Sequence, residues 1–311
     1  MSTIIMKSKP IIEQTKLQLS KNIHTIKDMI GATPKLTVIQ ANVDKASDIY
    51  IKNKRKFCED VGMNFELQKV NISGNDKSVA SNIFNIIFNT IYDNTCEDSD
   101  GIIIQKPISK INNETERILF DNIPFLKDVD CLGKDKSFNL YCGDNTNLPC
   151  TVQGVIDLLD YYKVPIQGQH IVILGRSNIV GKPLALALMN RNATVTVCHS
   201  KTEYIKSITQ TADIIISAIG KPKFIDETFI TPLCKCIIDV GINRDEQGKV
   251  CGDVDFDNII QYWNDKEVLF DRFITPVPGG VGPLTVCNLI KNTYKSFLRI
   301  NNVPKDLGFN I

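Results

Sequence analysis

The sequence has almost no excess of either charge: 36 basic side chains face 35 acidic ones, a net charge of +1 over 311 residues. No global field then draws the chain to nucleic acid or to an anionic membrane surface, and a small ligand is the expected partner. It also lacks any apolar run approaching the ~18–20 residues that cross a bilayer. The opening segment, MSTIIMKSKPIIEQTKLQLSK, has no apolar core of a secretory signal. That segment is basic and acid-poor but holds no arginine, so a cytoplasmic location is expected, with an organelle presequence left open. Ten cysteines are present without a CxxC spacing, and the nearest pair is Cys234 and Cys236. They are read as reduced thiols, and no metal is expected. Internal repeats and Gly/Ser-rich linkers are missing as well.

What is there is the composition of a folded chain, 43% hydrophobic and 23% charged. A chain of 311 residues exceeds what one hydrophobic core usually supports, which predicts two domains with a cleft between them. Short apolar runs alternate with amphipathic stretches, the pattern of an α/β protein with largely parallel sheets. In the first half the spacing predicts strands at 35–40, 64–71 and 101–105 and helices over 47–61 and 79–90. The Asn- and Ile-heavy segment SNIFNIIFNTIYDN reads as an amphipathic helix facing the core, without a function of its own. In the second half strands are predicted at 170–174, 194–198, 213–218 and 236–240. A Gly/Pro-rich loop, TPVPGGVGP, precedes a final helix.

The strand HIVIL runs straight into GRSNIVGKP and then into an Ala/Leu-rich helix through Asn190, the first turn of a nucleotide-binding βαβ unit. Gly175 and Gly181 are present, but the middle glycine of a GxGxxG pattern is replaced around Ser177 and Asn178. With a strand before and a helix after, backbone N–H groups at the helix N-terminus can hold an anion. The same residues would also make a plain strand-to-helix turn. At the end of the next strand stand Cys198, His199, Ser200 and Lys201, with no carboxylate to accept from a ribose 2′-hydroxyl. Ser200 can donate to a 2′-phosphate, and Arg176 can meet one with a charged fork. NADP is therefore expected over NAD, whereas the bland reading of Arg176 is a solvated loop arginine.

Taken in order, SDIYIKNK at 47–54, GIIIQKP at 101–107, KDVD at 127–130, PCT at 149–151, GRSNIVGKP at 175–183, CHSKT at 198–202, DVGIN at 239–243 and TPVPGGVGP at 275–283 span nearly the whole chain. Together they resemble the bifunctional methylenetetrahydrofolate dehydrogenase/cyclohydrolase family. The resemblance implies an α/β chain with an N-terminal catalytic, folate-binding domain and a Rossmann-type NADP-binding domain, the active-site cleft lying between them. The expected boundaries are 1–149 plus 284–311, including a returning C-terminal helix, for the first and 150–283 for the second. It also implies tetrahydrofolate derivatives as substrates and a homodimer.

Residue by residue, the resemblance makes Lys54 the acid/base of the hydrolytic step, Gln105 the side chain that orients it, and Tyr50 a catalytic residue packed near the folate. Tyr50 and Lys54 are four apart and share a helix face. Without the family, KNKRK is a solvated charge run and Gln105 a polar strand end. Adding water to a methenyl carbon between two nitrogens requires a proton to be removed, and a partly dry lysine beside a cation becomes a usable base. Asp130 matches the carboxylate that pairs with the pterin, although an aspartate there could equally form a turn. Pro278 and Gly279 match substrate-side positions and Ile242 and Thr285 positions near the cofactor, although alone they read as loop formers and a core isoleucine. Gly175, Arg176, Ser177 and Ser200 join the cofactor set from the turn chemistry above, and Gly220 permits close backbone approach or merely turns the chain. For hydride transfer the protein's task is alignment.

Several positions depart from the family pattern. Cys131-Leu132-Gly133-Lys134 replaces a GFHP-like stretch, Lys106 an apolar residue, Val152 a proline and Asn42 a glycine. Two other readings use the same residues: a dehydrogenase with weak or absent cyclohydrolase, and a folate- or nucleotide-binding protein without turnover.

Overall fold

The structure is a computed structural model that describes residues 2–71, 75–92, 99–304 and 307–309. Along the chain run β1 (Thr3–Ile5), α1 (Lys9–Ile30), β2 (Lys35–Gln40), α2 (Lys45–Val61), β3 (Asn64–Lys69), α3 (Asp76–Tyr92) and β4 (Gly101–Gln105). Then come α4 (Asn113–Asp121), α5 (Lys134–Tyr141), α6 (Cys150–Tyr161), β5 (His170–Leu174), α7 (Gly181–Met189), β6 (Thr194–Cys198), α8 (Ile205–Thr209) and β7 (Ile214–Ser217). The last part holds β8 (Cys236–Asp239), β9 (Asn243–Arg244), β10 (Val250–Cys251), α9 (Phe256–Asn264), β11 (Arg272–Ile274) and α10 (Val281–Ile300). Residues 93 and 94, at the end of SNIFNIIFNTIYDN, and Cys96 lie outside the described residues. The other cysteines are free thiols.

The chain forms two compact units, one of residues 1–12 and 139–285, the other of 13–138 and 286–311. These differ from the expected boundaries chiefly at residues 1–12 and 139–149. The first shift has a clear cause: β1 pairs in parallel with β11, Thr3 opposite Arg272, and so extends the sheet of the later unit. A strand of three residues carries too little periodicity to be read from sequence.

In the smaller sheet the order is β3-β2-β4, all parallel. Ile39, Ile83, Ile102, Ile104 and Leu119 form its buried core. Helix α2, which carries two candidate site residues, is fixed at both ends. Asp44 accepts from Ser47 N at 2.8 Å as N-cap, and Gly62 takes the left-handed conformation (φ 79°) as C-cap. Within this unit α10 lies close on Gly101, whose missing Cβ would meet Thr293 Oγ1 at 2.7 Å, and Ser296 Oγ donates to Leu126 O at 2.6 Å.

The larger sheet has the order β1-β11-β8-β7-β5-β6 and is parallel throughout. Its buried core includes Val172, Leu174, Ile215, Ile237 and Trp263. β5 lies between β6 and β7, so the strand order reverses there, and ligands of open α/β sheets bind outside the carboxyl ends of the strands at such a point. Register makes this concrete: Leu174 is opposite both Cys198 and Ser217, and Ser217 is opposite Asp239. The strands therefore end in one row. Among the described residues no helix is long and apolar enough to cross a membrane.

Candidate active site

In the smaller unit, β4 ends on Gln105 and α2 presents Lys54 to it. Lys54 is buried, with 9% of its surface exposed, and its Nζ donates to Gln105 Oε1 at 2.7 Å. The other end of the amide is used too: Gln105 Nε2 donates to Lys106 O at 2.7 Å. Both hydrogen-bonding ends of Gln105 are thus committed, which holds its carbonyl oxygen toward the amine. Tyr50, one turn earlier on α2, is half-buried, and burial pushes its hydroxyl above the usual tyrosine value of 10.0. It stays protonated at neutral pH and can donate.

Two departures from the family pattern support this geometry. Asn42 Nδ2 donates to Pro107 O at 2.6 Å, and Ser47 Oγ reaches Lys106 O at 3.4 Å, so side chains from β2's end and from α2 pin the turn after Gln105. Lys106 pairs with Glu116 on α4 at 2.5 Å. Its charge is answered by a carboxylate.

The KDVD motif divides its two carboxylates. Asp128 is buried and accepts from Gly133 N at 3.0 Å and Leu132 N at 3.4 Å, while the buried Lys136 ammonium donates to its backbone carbonyl. Burial raises its carboxyl group above the ordinary value, partly offset by Lys136. Asp128 builds the loop. Asp130 is half-exposed and remains the carboxylate available to a ligand. Cys131, next to it, holds a left-handed backbone (φ 59°), a conformation glycine adopts without the Cβ penalty.

In the larger unit the predicted cofactor residues sit just beyond the row of strand ends. Gly175 has φ 125°, and a Cβ on it would meet Ala218 O at 2.4 Å, so the turn after β5 backs directly onto the turn after β7. A Cβ on Gly181 would meet Gly175 O at 2.1 Å, closing the start of α7 onto the same turn. Ser177 Oγ accepts from Val180 N at 3.1 Å and Gly181 N at 3.3 Å and so shapes that start. Because Leu174 and Cys198 are in register, Arg176 and Ser200 each stand two residues past the same row, in the turns that follow neighbouring strands, and both are exposed. A phosphate at the end of β6 would find a guanidinium and a hydroxyl and no carboxylate between them, so the residues present fit NADP.

The remaining predicted positions fall at the same end of the sheet. Gly220 (φ 74°) is exposed after β7, and Ile242, 51% exposed, follows β8. Pro278 is exposed after β11, and Gly279 (φ 105°) accepts at its carbonyl from Ser8 N and Ser8 Oγ, each at 2.9 Å. Thr285 Oγ1 lies 3.2 Å from Thr151 Oγ1. Val152, the departure beside Thr151, is fully buried in α6. A cavity of about 570 Å³ lined by Ser2, Trp263 and Arg272 lies at the amino ends of β1 and β11, away from all of these residues.

Sequence reasoning missed two buried aspartates at the carboxyl end of the sheet. Asp239, the last residue of β8, accepts from Gly241 N at 2.9 Å, Asp253 N at 3.0 Å and Val254 N at 2.8 Å. Burial pushes its carboxyl group up to about 7, against three N–H groups that favour the charged form. The folded state then keeps a proton that the unfolded chain releases near 3.8, so this group's contribution to stability is complete below that value and is lost as pH rises through about 7. The denaturant midpoint is therefore expected to fall between pH 5.5 and pH 8. Asp239→Asn, which keeps a neutral group there, is expected to shrink that fall, and an unchanged fall in urea titrations of the variant would refute the assignment. The signal in sequence is the DVG tripeptide, in which nothing local marks the carboxylate as buried.

The family model described as tetrahydrofolate dehydrogenase/cyclohydrolase, catalytic domain, matches residues 6–130, and the one described as its NAD(P)-binding domain matches residues 149–301. The bifunctional protein FolD of Bacillus cereus (strain AH187) is 38% identical over 305 residues, 98% of this chain and 100% of that protein. Among solved structures, the bifunctional enzyme FolD, a methylenetetrahydrofolate dehydrogenase/cyclohydrolase, from Campylobacter jejuni is 33% identical with a TM-score of 0.85, covering 96% of this chain and 100% of that one. The Trypanosoma brucei N5,N10-methylenetetrahydrofolate dehydrogenase-cyclohydrolase, solved with NADP cofactor and inhibitor, is 28% identical with a TM-score of 0.84, covering 97% and 100%. With both family domains matched in order and relatives aligned over nearly its full length, the chain belongs to the tetrahydrofolate dehydrogenase/cyclohydrolase family.

Proposed function

We infer that the protein oxidises 5,10-methylenetetrahydrofolate to the 5,10-methenyl form with NADP and hydrolyses that product to 10-formyltetrahydrofolate. The observation that carries the hydrolytic half is the buried Lys54 amine held at 2.7 Å by a Gln105 whose own amide is anchored. Water adding to the methenyl carbon must lose a proton, and Lys54 is the group placed to accept it and to return one as the ring opens. Gln105 keeps the amine aimed, Tyr50 packs near the folate, and Asp130 reads the pterin by pairing with its adjacent N–H donors.

When bound, NADP supplies the hydride acceptor. The chain's part in that step is placement. Gly175, Ser177 and Gly220 leave room for the dinucleotide backbone. Arg176 and Ser200 recognise its 2′-phosphate, and Ile242, Thr285, Pro278 and Gly279 border the reacting rings. Arg176 and Ser200, each two residues beyond the in-register ends of β5 and β6, support NADP over NAD. Charge-assisted hydrogen bonds contribute about 1.5–3 kcal/mol, so Arg176→Ala is expected to raise the KM for NADP roughly 10–100-fold and leave that for NAD nearly unchanged. Steady-state kinetics with both cofactors decide it, and an equal effect on the two would remove Arg176 from phosphate recognition. The working form is proposed to be a homodimer, as the family resemblance implies, acting in the cytoplasm.

A further inference from the structure

The cofactor-facing loops after β7 and β8 need something to hold them, because neither has regular structure at Ala218–Lys221 or Val240–Ile242. That something is a fully buried carboxylate from a third segment. Asp253 accepts through Oδ2 from Ser217 Oγ at 2.9 Å, Ile219 N at 2.8 Å and Gly220 N at 3.3 Å. Through Oδ1 it accepts from Lys221 N at 2.9 Å and Asn243 Nδ2 at 2.8 Å. Five donors converge on two oxygens, an arrangement that a carboxylate's two acceptor oxygens suit and an amide cannot match.

Asp253 is itself held in place. Its N–H and that of Val254 donate to Asp239, and the two aspartates interlock through glycines with no room for a side chain. A Cβ on Gly241 would meet Asp253 Oδ1 at 2.1 Å, and one on Gly252 would meet Asp239 Oδ2 at 1.8 Å. The result is a clasp at the carboxyl ends of β7 and β8, holding Gly220 N itself on one side and reaching Asn243, next to Ile242, on the other.

We propose that Asp253 is a positioning residue for hydride transfer, holding the Gly220 and Ile242 loops in the one relative arrangement that seats the nicotinamide dinucleotide. This rests on the dehydrogenase reading above. Asp253 touches neither substrate nor cofactor in the proposal; it acts through backbone N–H groups and Asn243. Its effect should therefore be confined to the cofactor-dependent reaction.

The test is Asp253→Asn in the full-length protein, with dehydrogenation and hydrolysis of the methenyl substrate measured separately, the latter without NADP. An asparagine can accept on only one side, leaving at least two donors against an NH₂ group. The expected result is a rise of about tenfold or more in the KM for NADP with a lower kcat, and hydrolysis within twofold of the parent. Combining Asp253→Asn with Asn243→Asp exchanges donor and acceptor across the contact and is expected to restore part of the NADP affinity with hydrolysis still unchanged, the split that a purely structural role would not give. Hydrolysis falling in parallel, or an unchanged KM for NADP, overturns the proposal. Should Asp253→Asn not fold, Asn243→Ala removes one of the five donors and decides in its place: a KM for NADP raised several-fold supports the clasp, and an unchanged one refutes it. Failure of the parent protein to reduce NADP would instead refute the dehydrogenase reading, a separate outcome.

Discussion

Replacing Lys54 by methionine is expected to lower hydrolysis of 5,10-methenyltetrahydrofolate by about 10²–10⁴-fold, the usual contribution of a positioned acid/base group. Methionine matches the unbranched apolar stem of lysine as far as Cε, so α2 should retain its packing, its Asp44 cap and its Gly62 stop. What disappears is the amine that Gln105 holds. Hydride transfer does not require that amine to move a proton, because the neighbouring nitrogen's lone pair stabilises the positive charge that forms as hydride leaves. Dehydrogenation should therefore continue, and the methenyl product should accumulate. Absorbance of the methenyl product with time in parent and variant makes the comparison, and full hydrolysis in Lys54→Met would sink the assigned role.

The reciprocal separation is expected from Gly181→Ala. Its new Cβ would stand 2.1 Å from Gly175 O and 2.9 Å from Arg176 Cα, both backbone atoms that cannot swing aside as a flexible side chain can. The turn after β5 must rebuild, and displacing a binding loop by about 1 Å can cost ~10²-fold in rate. Oxidation with NADP should fall by roughly that factor or more, while hydrolysis assayed without cofactor should change little, because Lys54 and Gln105 belong to the other unit. Overpacking of this kind also destabilises by about 1–3 kcal/mol, visible as a lower melting temperature. A variant that oxidises the folate at the parent rate would remove the Gly175–Gly181 turn from cofactor binding.

The sequence was most legible where chemistry punctuates it sharply. GIIIQ, HIVIL and TVTVC are short apolar runs bounded by turn-forming or polar residues, and they coincide with β4, β5 and β6 residue for residue. Helix α1 was not read, because only Leu19, Asn22, Ile23 and Ile26 among its residues are buried and its first turns mix polar and apolar positions. The β9–β10 ribbon has two residues a side, too few for an alternation to register.

The site shows a similar split. Lys54 stood out through resemblance alone, since within KNKRK nothing local distinguishes the one lysine that turns inward from its exposed neighbours. In KDVD both aspartates were present, but their division of labour depends on the fold of residues 131–136, which takes one of them as a loop anchor. The Asp239–Asp253 clasp was invisible for a stronger reason. Its contacts to Asp253 join residues 10 to 36 apart, and they exist only because parallel register brings the ends of β7 and β8 together. Long-range carboxylate anchors of that kind are a property of topology before they are a property of any motif.

The measurement that bears most directly on the central claim is a single reaction of the purified protein with 5,10-methylenetetrahydrofolate and NADP, resolving reduced cofactor, methenyl product and formyl product. Bifunctional turnover predicts reduced NADP together with 10-formyltetrahydrofolate formed faster than spontaneous hydrolysis of the methenyl compound. Reduced NADP with formyl product only at the spontaneous rate, or no folate-dependent reduction at all, would contradict it.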